Sequence, residues 1–273
     1  MLKLNIIGCG NMGEAILEGI LASGALDKKE ISIYDKDKKR REHIGKKYST
    51  RAYKSFDEIV FGPYNLLAVK PQDLPELIDQ ISKKGLKGEK LISIIAGVPS
   101  YYFEKKLGKI GIIRIMPNTP VLVRKGVFVI SKGAYASEED ISFVRRILGS
   151  LGEVVETGEE LQNVSTAVSG SGPAYFFLFC KCIIEAAASN GMDKETAKRL
   201  VAETMAGSAE VIRKSSQDID SLIKMVASPG GTTEKALAEF NKAGLQRTVG
   251  AAIEAALRRA YELESMLNSQ EKK

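Results

Sequence analysis

Short apolar runs alternate with amphipathic stretches through the first half of the chain. Leu2 to Ile7, Ile31 to Tyr34, Leu66 to Val69, Leu91 to Ile95 and Ile110 to Met116 are runs of strand length. Between them, Met12 to Ser23, Asp37 to Lys47, Leu74 to Lys83 and Ser100 to Leu107 carry apolar residues at helical spacing. This alternation predicts a parallel sheet with right-handed crossovers. Shorter strands are expected at Gly126 to Ile130 and Glu153 to Glu156, with a helix from Glu138 to Leu148 between them.

The pattern changes near residue 160, after which no stretch reads as a strand. Ala174 to Ser189 is apolar almost throughout and reads as a buried helix. Pro173 suits its first turn, where a missing N–H costs nothing, and Asn190-Gly191 suits a left-handed stop. Asp193 can cap a second helix running to about Lys214. A third helix starts at Thr232 or Thr233 and ends before Gly244, and a fourth runs from about Gln246 to Leu267. The expected organisation is an α/β domain over residues 1–160 and an all-helical domain over residues 161–273. The last helix carries Val249, Ile253, Ala256, Ala260, Leu263 and Leu267 in a heptad-like stripe. Such a stripe serves either internal burial or a subunit interface, and both readings stay open.

Composition narrows the class. Of 273 residues, 44% are apolar and 27% charged, which is ordinary globular usage. The net charge of +6 is spread along the chain. It suits an anionic small ligand and forms no basic stripe with interleaved aromatics, so no nucleic-acid partner is expected. The most apolar run, Ala174 to Cys180, is cut by Lys181 and Glu185. No membrane span is therefore expected, and no signal-peptide pattern opens the chain. Cys9, Cys180 and Cys182 form neither a metal spacing nor a disulfide framework, which points to a reducing cytoplasm. A single histidine, His43, argues against a Ser-His-Asp hydrolase and a multi-His centre, so no metal site is expected.

The candidate chemistry starts at Gly8-Cys9-Gly10-Asn11-Met12-Gly13, which follows a strand and opens a helix. That is the context of a dinucleotide fingerprint. Gly8 permits the tight turn, Gly10 lets the backbone approach a pyrophosphate, and Gly13 lets helix and strand pack closely. Asp35 ends the second strand 22 residues beyond Gly13, where a carboxylate accepts from ribose hydroxyls and repels a 2′-phosphate. Lys36, Lys38, Lys39 and Arg40 follow at once and could pair with that phosphate. The signal for NADH against NADPH is mixed, with a slight lean to NADH from Asp35.

Ala68-Val69-Lys70-Pro71, Ala96-Gly97-Val98 and Met116-Pro117-Asn118-Thr119-Pro120 end successive strands. Ligands bind at that edge of an open α/β sheet, and these small or kinked residues describe a floor for a nicotinamide ring. Ser169-Gly170-Ser171-Gly172-Pro173-Ala174-Tyr175 leads into the apolar helix and reads equally well as a simple cap. Ser228-Pro229-Gly230-Gly231-Thr232-Thr233 opens a later helix. Two glycines and two threonine hydroxyls there exceed what a cap needs and suit capture of a carboxylate. Cys9 reads as a passive small residue, and Lys181 as a side chain snorkelling to the surface.

GCGNMG, AVKP, MPNTP, SGSGPAY and SPGGTT occur in that order, and together they resemble pyrroline-5-carboxylate reductase from about Lys3 to about Leu263. The resemblance implies a Rossmann-type NAD(P)-binding domain followed by an all-helical substrate-binding and dimerisation domain. It implies dimers, often assembled further into decamers. It implies reduction of 1-pyrroline-5-carboxylate to L-proline by hydride transfer from NADPH or NADH. Carried over, Gly8, Cys9, Gly10, Asn11, Met12 and Gly13 would hold the pyrophosphate, with Asp35 and Lys36 at the ribose. Ala68, Val69, Lys70, Pro71, Ala96 and Gly97 would line the nicotinamide side. Asn118, Ser228, Gly230, Gly231, Thr232 and Thr233 would bind substrate, with the Thr233 hydroxyl facing the ring nitrogen as the catalytic contact. Some members place an acidic residue upstream of SPGGTT; the stretch near Ser216 offers no match. Asp35 also departs from members with Ser, Asn or Arg there.

An iminium is already electrophilic, so a site without histidine suits the reaction, and catalysis is mostly positioning. Two other readings compete. Hydroxyacid dehydrogenases of similar layout use a helix lysine followed four residues later by Asn, whereas Lys181 is followed by Glu185. A nucleotide sensor without catalysis shares the fold but has no use for MPNTP together with SPGGTT.

Overall fold

The computed structural model describes residues 1–270, with side chains as far as Met266. The chain divides into two compact units: Met1–Ser171 together with the end of the last helix from Ala256, and Gly172–Ala255.

In the first unit β1 (Leu4–Ile7) leads into α1 (Asn11–Ser23) and β2 (Ile31–Tyr34) into α2 (Lys38–Tyr48). A two-residue β3 (Arg51–Ala52), β4 (Tyr64–Leu67), α3 (Leu74–Lys84), β5 (Lys90–Ser93), α4 (Ser100–Leu107) and β6 (Ile112–Pro117) follow. β7 (Gly126–Lys132), α5 (Glu138–Leu148) and β8 (Gly152–Glu156) complete one eight-stranded sheet, ordered β3-β2-β1-β4-β5-β6-β7-β8. Strand order reverses beside β1, the switch point at which ligands sit beyond the strands' carboxyl ends.

Both faces of the sheet are covered, which is why the strands read as unbroken apolar runs. Leu4 and Ile6 pack with Ile16 and Ile20 of α1 and Ile147 of α5. Ile7, Leu67 and Leu91 face the other way, onto Ile78 and Ile81 of α3 and Phe103 of α4. Burying each such side chain contributes about 1.5–3 kcal/mol.

The sheet is not wholly parallel, as the alternation predicted. β7 runs antiparallel to β6, with Ile115 opposite Ile130. Only residues 118–125 join the two strands, and a right-handed crossover needs a dozen or more. That link holds a 3-10 turn, Thr119–Val123. β3 was not expected either; two residues cannot show a period.

A helical stretch, α6 (Gln162–Ser165) and a π-turn (Thr166–Gly170), precedes the second unit. That unit holds α7 (Gly172–Ser189), α8 (Lys194–Lys214), α9 (Ile219–Val226), α10 (Thr232–Lys242) and the start of α11 (Leu245–Gln270). Asp193 caps α8 by accepting the Thr196 N–H at 2.9 Å, and Gly191 takes φ 91° after α7. α7 packs on α8, and its Phe179 meets Phe240 of α10 with ring centroids 6.0 Å apart.

Two expectations need correction here. α7 is not a buried helix: Phe176, Phe177 and Leu178 are 59%, 67% and 60% exposed, because α8 and α10 pack against only part of its all-round apolar surface. α9 was not expected, although Asp218 before Ile219, Leu222, Ile223 and Val226 carried a cap and an amphipathic spacing. The helical run Glu159–Ser189 is long and apolar enough to cross a bilayer by length and composition alone, which does not by itself overturn the expectation of no membrane span. The sequence reading stopped at Ala174, whereas the helical run continues upstream through small, uncharged residues.

The stripe on the last helix divides: Ala260 is buried within the first unit and Val249 is exposed. The Leu267 side chain lies outside the described residues.

Candidate functional site

At the carboxyl ends of β1, β2 and β4, the first unit opens into a cleft of about 300 Å³. Gly8, Gly10, Asp35, Lys36, Ala68, Val69 and Lys70 line it. Seven residues singled out from the sequence thus converge on one cavity.

The glycines do distinct work. Gly8 sits at φ 99°, a left-handed conformation that strains any other residue, and a Cβ there would stand 2.6 Å from the Ala68 carbonyl. A Cβ on Gly13 would meet the Gly8 carbonyl oxygen at 2.2 Å. A Cβ on Gly10 would meet nothing within 4 Å, although Gly10 is the N-cap of α1. The space above Gly10 is therefore open, and the orphan N–H groups of the first turn border it. Cys9 is buried beneath this turn, Asn11 is exposed on it, and Met12 packs onto the core. Burial, and next the Asp35 carboxylate, push the Cys9 thiol up to about 12, which makes it inert.

Asp35 is fixed by the backbone around it. One carboxylate oxygen accepts the Cys9 N–H at 2.6 Å and the other accepts the Asp37 N–H at 2.9 Å. Three of the cations that follow are paired. Lys36 bonds Asp73, Arg40 bonds the Cys9 carbonyl and Glu14, and buried Arg41 donates to the Asp35 carbonyl at 2.7 Å. Burial works to raise the Glu14 pKa, but hydrogen bonds from Lys47 and Tyr48 and the Arg40 charge hold it below the usual carboxylate range.

Ala68 and Val69 leave β4, and Pro71 opens a 3-10 turn after Lys70. Ala96 and Gly97 do not line this cleft; they follow β5. Gly97, at φ 72°, faces Leu263 of α11, whose Cβ would be 3.1 Å from a Cβ at 97. The Asn118 side chain is held at both ends. Its oxygen accepts the Val127 N–H at 2.8 Å, and its nitrogen donates to the Ser169 carbonyl at 3.3 Å. Asn118 thus ties β6 and β7 to the π-turn.

Ser228, Gly230, Gly231, Thr232 and Thr233 lie together in the other unit, at the start of α10. Gly230 takes φ 72° and donates its N–H to Glu234 at 2.6 Å. A Cβ on Gly231 would meet the Ser228 hydroxyl at 2.5 Å. No side chain caps this helix, so its first-turn amides have no internal acceptor. Thr233 also borders an apolar groove with Val211, Ile212, Leu222 and Val226. Lys181, by contrast, points outward at 67% side-chain exposure beside Glu185.

Sequence reasoning missed one functional group of contacts. Arg40 was counted only as a possible phosphate partner; its hold on the Cys9 carbonyl joins residues 31 positions apart and leaves no local pattern.

The comparisons with known proteins decide the family. Residues 159–263 match the family model described as pyrroline-5-carboxylate reductase dimerisation. Residues 3–97 match one described as NADP oxidoreductase coenzyme F420-dependent. Pyrroline-5-carboxylate reductase 2 of Bacillus subtilis is 34% identical, over 96% of this chain and 95% of its own. The chain belongs to the pyrroline-5-carboxylate reductase family.

Solved members agree with the fold. The Plasmodium falciparum reductase, solved with NADP bound, superposes with a TM-score of 0.87 at 32% identity, covering 96% of this chain and 98% of that one. The Coxiella burnetii reductase gives 0.89 at 30%, with the same coverage. As a member of this reductase family the chain is a nicotinamide-dependent oxidoreductase, with a Rossmann-type first domain and a helical dimerisation domain. The exposed faces of α7 fall within the matched dimerisation segment.

Proposed function

We propose that this protein reduces 1-pyrroline-5-carboxylate to L-proline with NAD(P)H, the last step of proline biosynthesis. The observation that carries the reading is the family relation across 96% of the chain, with the glycine turn inside the matched residues 3–97 and the Ser228–Thr233 corner inside residues 159–263. Bound nicotinamide supplies the hydride for the imine carbon. The chain's own part is to bind, orient and exclude.

The pyrophosphate is assigned to the turn from Gly8 to Gly13, with Asp35 and Lys36 at the ribose and Ala68 to Pro71 at the nicotinamide side; Ala96 and Gly97, which do not line the cleft, are left out of the assignment. The open space over Gly10 and the uncapped start of α1 support this. The substrate carboxylate is assigned to Ser228, Gly230, Gly231, Thr232 and Thr233, at a helix N-terminus whose dipole favours an anion. The Thr233 hydroxyl orients the ring nitrogen, and solvent supplies the proton. Asn118 shapes the substrate region through its bonds to Val127 and Ser169.

The cofactor preference leans slightly to NADH, with NADPH also accepted. A 2′-phosphate would meet the Asp35 carboxylate, and Lys36, Arg40 and Arg41 already have partners. The enzyme works as a homodimer, with decamers built from dimers, in the reducing cytoplasm. The apolar surface of α7 and the free thiols of Cys9, Cys180 and Cys182 support this.

The test is spectrophotometric. Purified protein with pyrroline-5-carboxylate should consume NADH rapidly, and NADPH with a lower kcat/KM. Cofactor binding without turnover would overturn the reductase reading. Thr233→Ala should lower kcat or raise substrate KM; kinetics like the wild type would remove Thr233 from the mechanism.

A further inference from the structure

We propose that Arg40 is a positioning residue for the dinucleotide. Its guanidinium fixes the Cys9–Gly10 peptide so that the Gly10 N–H faces the phosphate side of the cleft. The inference rests on the nucleotide reading of that cleft.

The geometry is local. Arg40 Nε donates to the Cys9 carbonyl at 2.6 Å, and its Nη2 donates to Glu14 in the first turn of α1. A trans peptide is planar, so its C=O and N–H point in opposite directions. Holding the Cys9 carbonyl towards α2 therefore aims the Gly10 N–H away from α2. Gly10 lines the cleft, and the space where a side chain would stand is empty. The neighbouring peptide is held as well, since the Cys9 N–H goes to Asp35 at 2.6 Å. Cys9 is thus gripped through its N–H by a carboxylate and through its C=O by a guanidinium.

The grip is needed because the turn is rich in glycine. Gly8 is left-handed at φ 99°, and Gly10 has no side chain to set its peptide. A flip of the Cys9–Gly10 peptide would turn a carbonyl oxygen towards the phosphate. A charge-assisted bond from a planar fork is the device that resists it. Glu14 fixes the fork in turn, while the Lys47 charge offsets that of Glu14 near a phosphate site and the Tyr48 hydroxyl donates to it. Because two of its nitrogens are engaged in this way, Arg40 is an anchor of the turn and not a 2′-phosphate contact.

The test compares the wild type with Arg40→Ala and Arg40→Lys in cofactor binding alone. NADH and NADPH are titrated separately by nicotinamide fluorescence without substrate, with thermal midpoints recorded in parallel. Arg40→Ala should weaken both nucleotides by the same factor, about tenfold, the cost of one lost charge-assisted bond. Arg40→Lys should recover less than half of that loss, because an ammonium cannot fork between Cys9 and Glu14. In steady state the effect should fall on cofactor KM more than on kcat. Unchanged affinity for both nucleotides overturns the proposal. So does a loss confined to NADPH, or full recovery in Arg40→Lys, which would reduce Arg40 to a charge. Arg40→Gln carries the same comparison if the alanine variant does not fold. Wild-type protein that binds neither nucleotide would remove the nucleotide reading itself; normal wild-type binding with unaltered variants removes only the role of Arg40.

Discussion

The carbonyl oxygen of Gly8 lies 2.2 Å from the point where a Cβ on Gly13 would stand. α1 therefore crosses the end of β1 at a distance only glycine permits. Alanine would favour the helix by about 1 kcal/mol. The collision is with backbone, which has nowhere to go, so the clash wins. Gly13→Ala should lower the thermal midpoint and cofactor affinity together. Gly10→Ala is the informative partner, because its Cβ meets nothing in the fold. It should keep the wild-type midpoint yet lose cofactor affinity, about tenfold or more by differential titration. Equal midpoints for both variants would contradict the close crossing.

Cys9 should resist alkylation in the folded protein. It is 1% exposed, and its thiol is pushed up to about 12, so almost no thiolate exists near pH 8. Iodoacetamide followed by peptide mass mapping should leave Cys9 unmodified under native conditions and label it fully in urea. Native labelling at a rate typical of free thiols would show that the phosphate turn opens readily.

What was legible in the sequence depended on whether its cause was local. The bounds of α4, α5 and α8 follow from periodicity and caps, and Ser137 does accept the Asp140 N–H at the start of α5. The glycine turn, Asp35 and Ala68 to Lys70 were readable because strand ends and fingerprint spacing are local features. The antiparallel β7 was not, since strand direction depends on the reach of the link at 118–125 rather than on the strand's own residues. α9 was legible and overlooked: Asp218 accepts the Ser221 N–H at 2.7 Å, as its position before an amphipathic stretch implies. The exposure of α7 was beyond reach, because apolarity reports that a face is covered and not which chain covers it.

Arg114 should prove costly to truncate. It is 2% exposed in the middle of β6, and burial pulls its pKa down against the Glu159 carboxylate 3.4 Å away. Its Nη2 reaches Asn163 at 3.5 Å, and Asn163 donates to Glu264 of α11 at 2.7 Å. Arg114→Ala empties a buried site beside a half-buried carboxylate that Ser100 still bonds, and loosens that link to α11, so about 2–5 kcal/mol of stability should go. Arg114→Met should lose less. It fills the space and removes the buried Nε, which has no hydrogen-bond partner among the described residues. Urea unfolding at fixed protein concentration measures both, and equal losses would refute the reasoning about Nε.

The apolar face of α7 gives the last prediction. Phe177 is 67% exposed and borders a groove with Ile184, Val201 and Met205. A patch of this kind on a folded protomer marks an interface or a membrane contact. The match of residues 159–263 to a dimerisation model favours the first. A charge placed there has to be desolvated in any apolar interface, at a cost of several kcal/mol, which is enough to dissociate a dimer at micromolar concentration. Phe177→Glu should therefore shift the mass measured by light scattering towards the monomer, in plain buffer. The wild type should stay an oligomer there without detergent. A wild type that needs detergent to remain in solution would instead place the helical run Glu159–Ser189 against lipid.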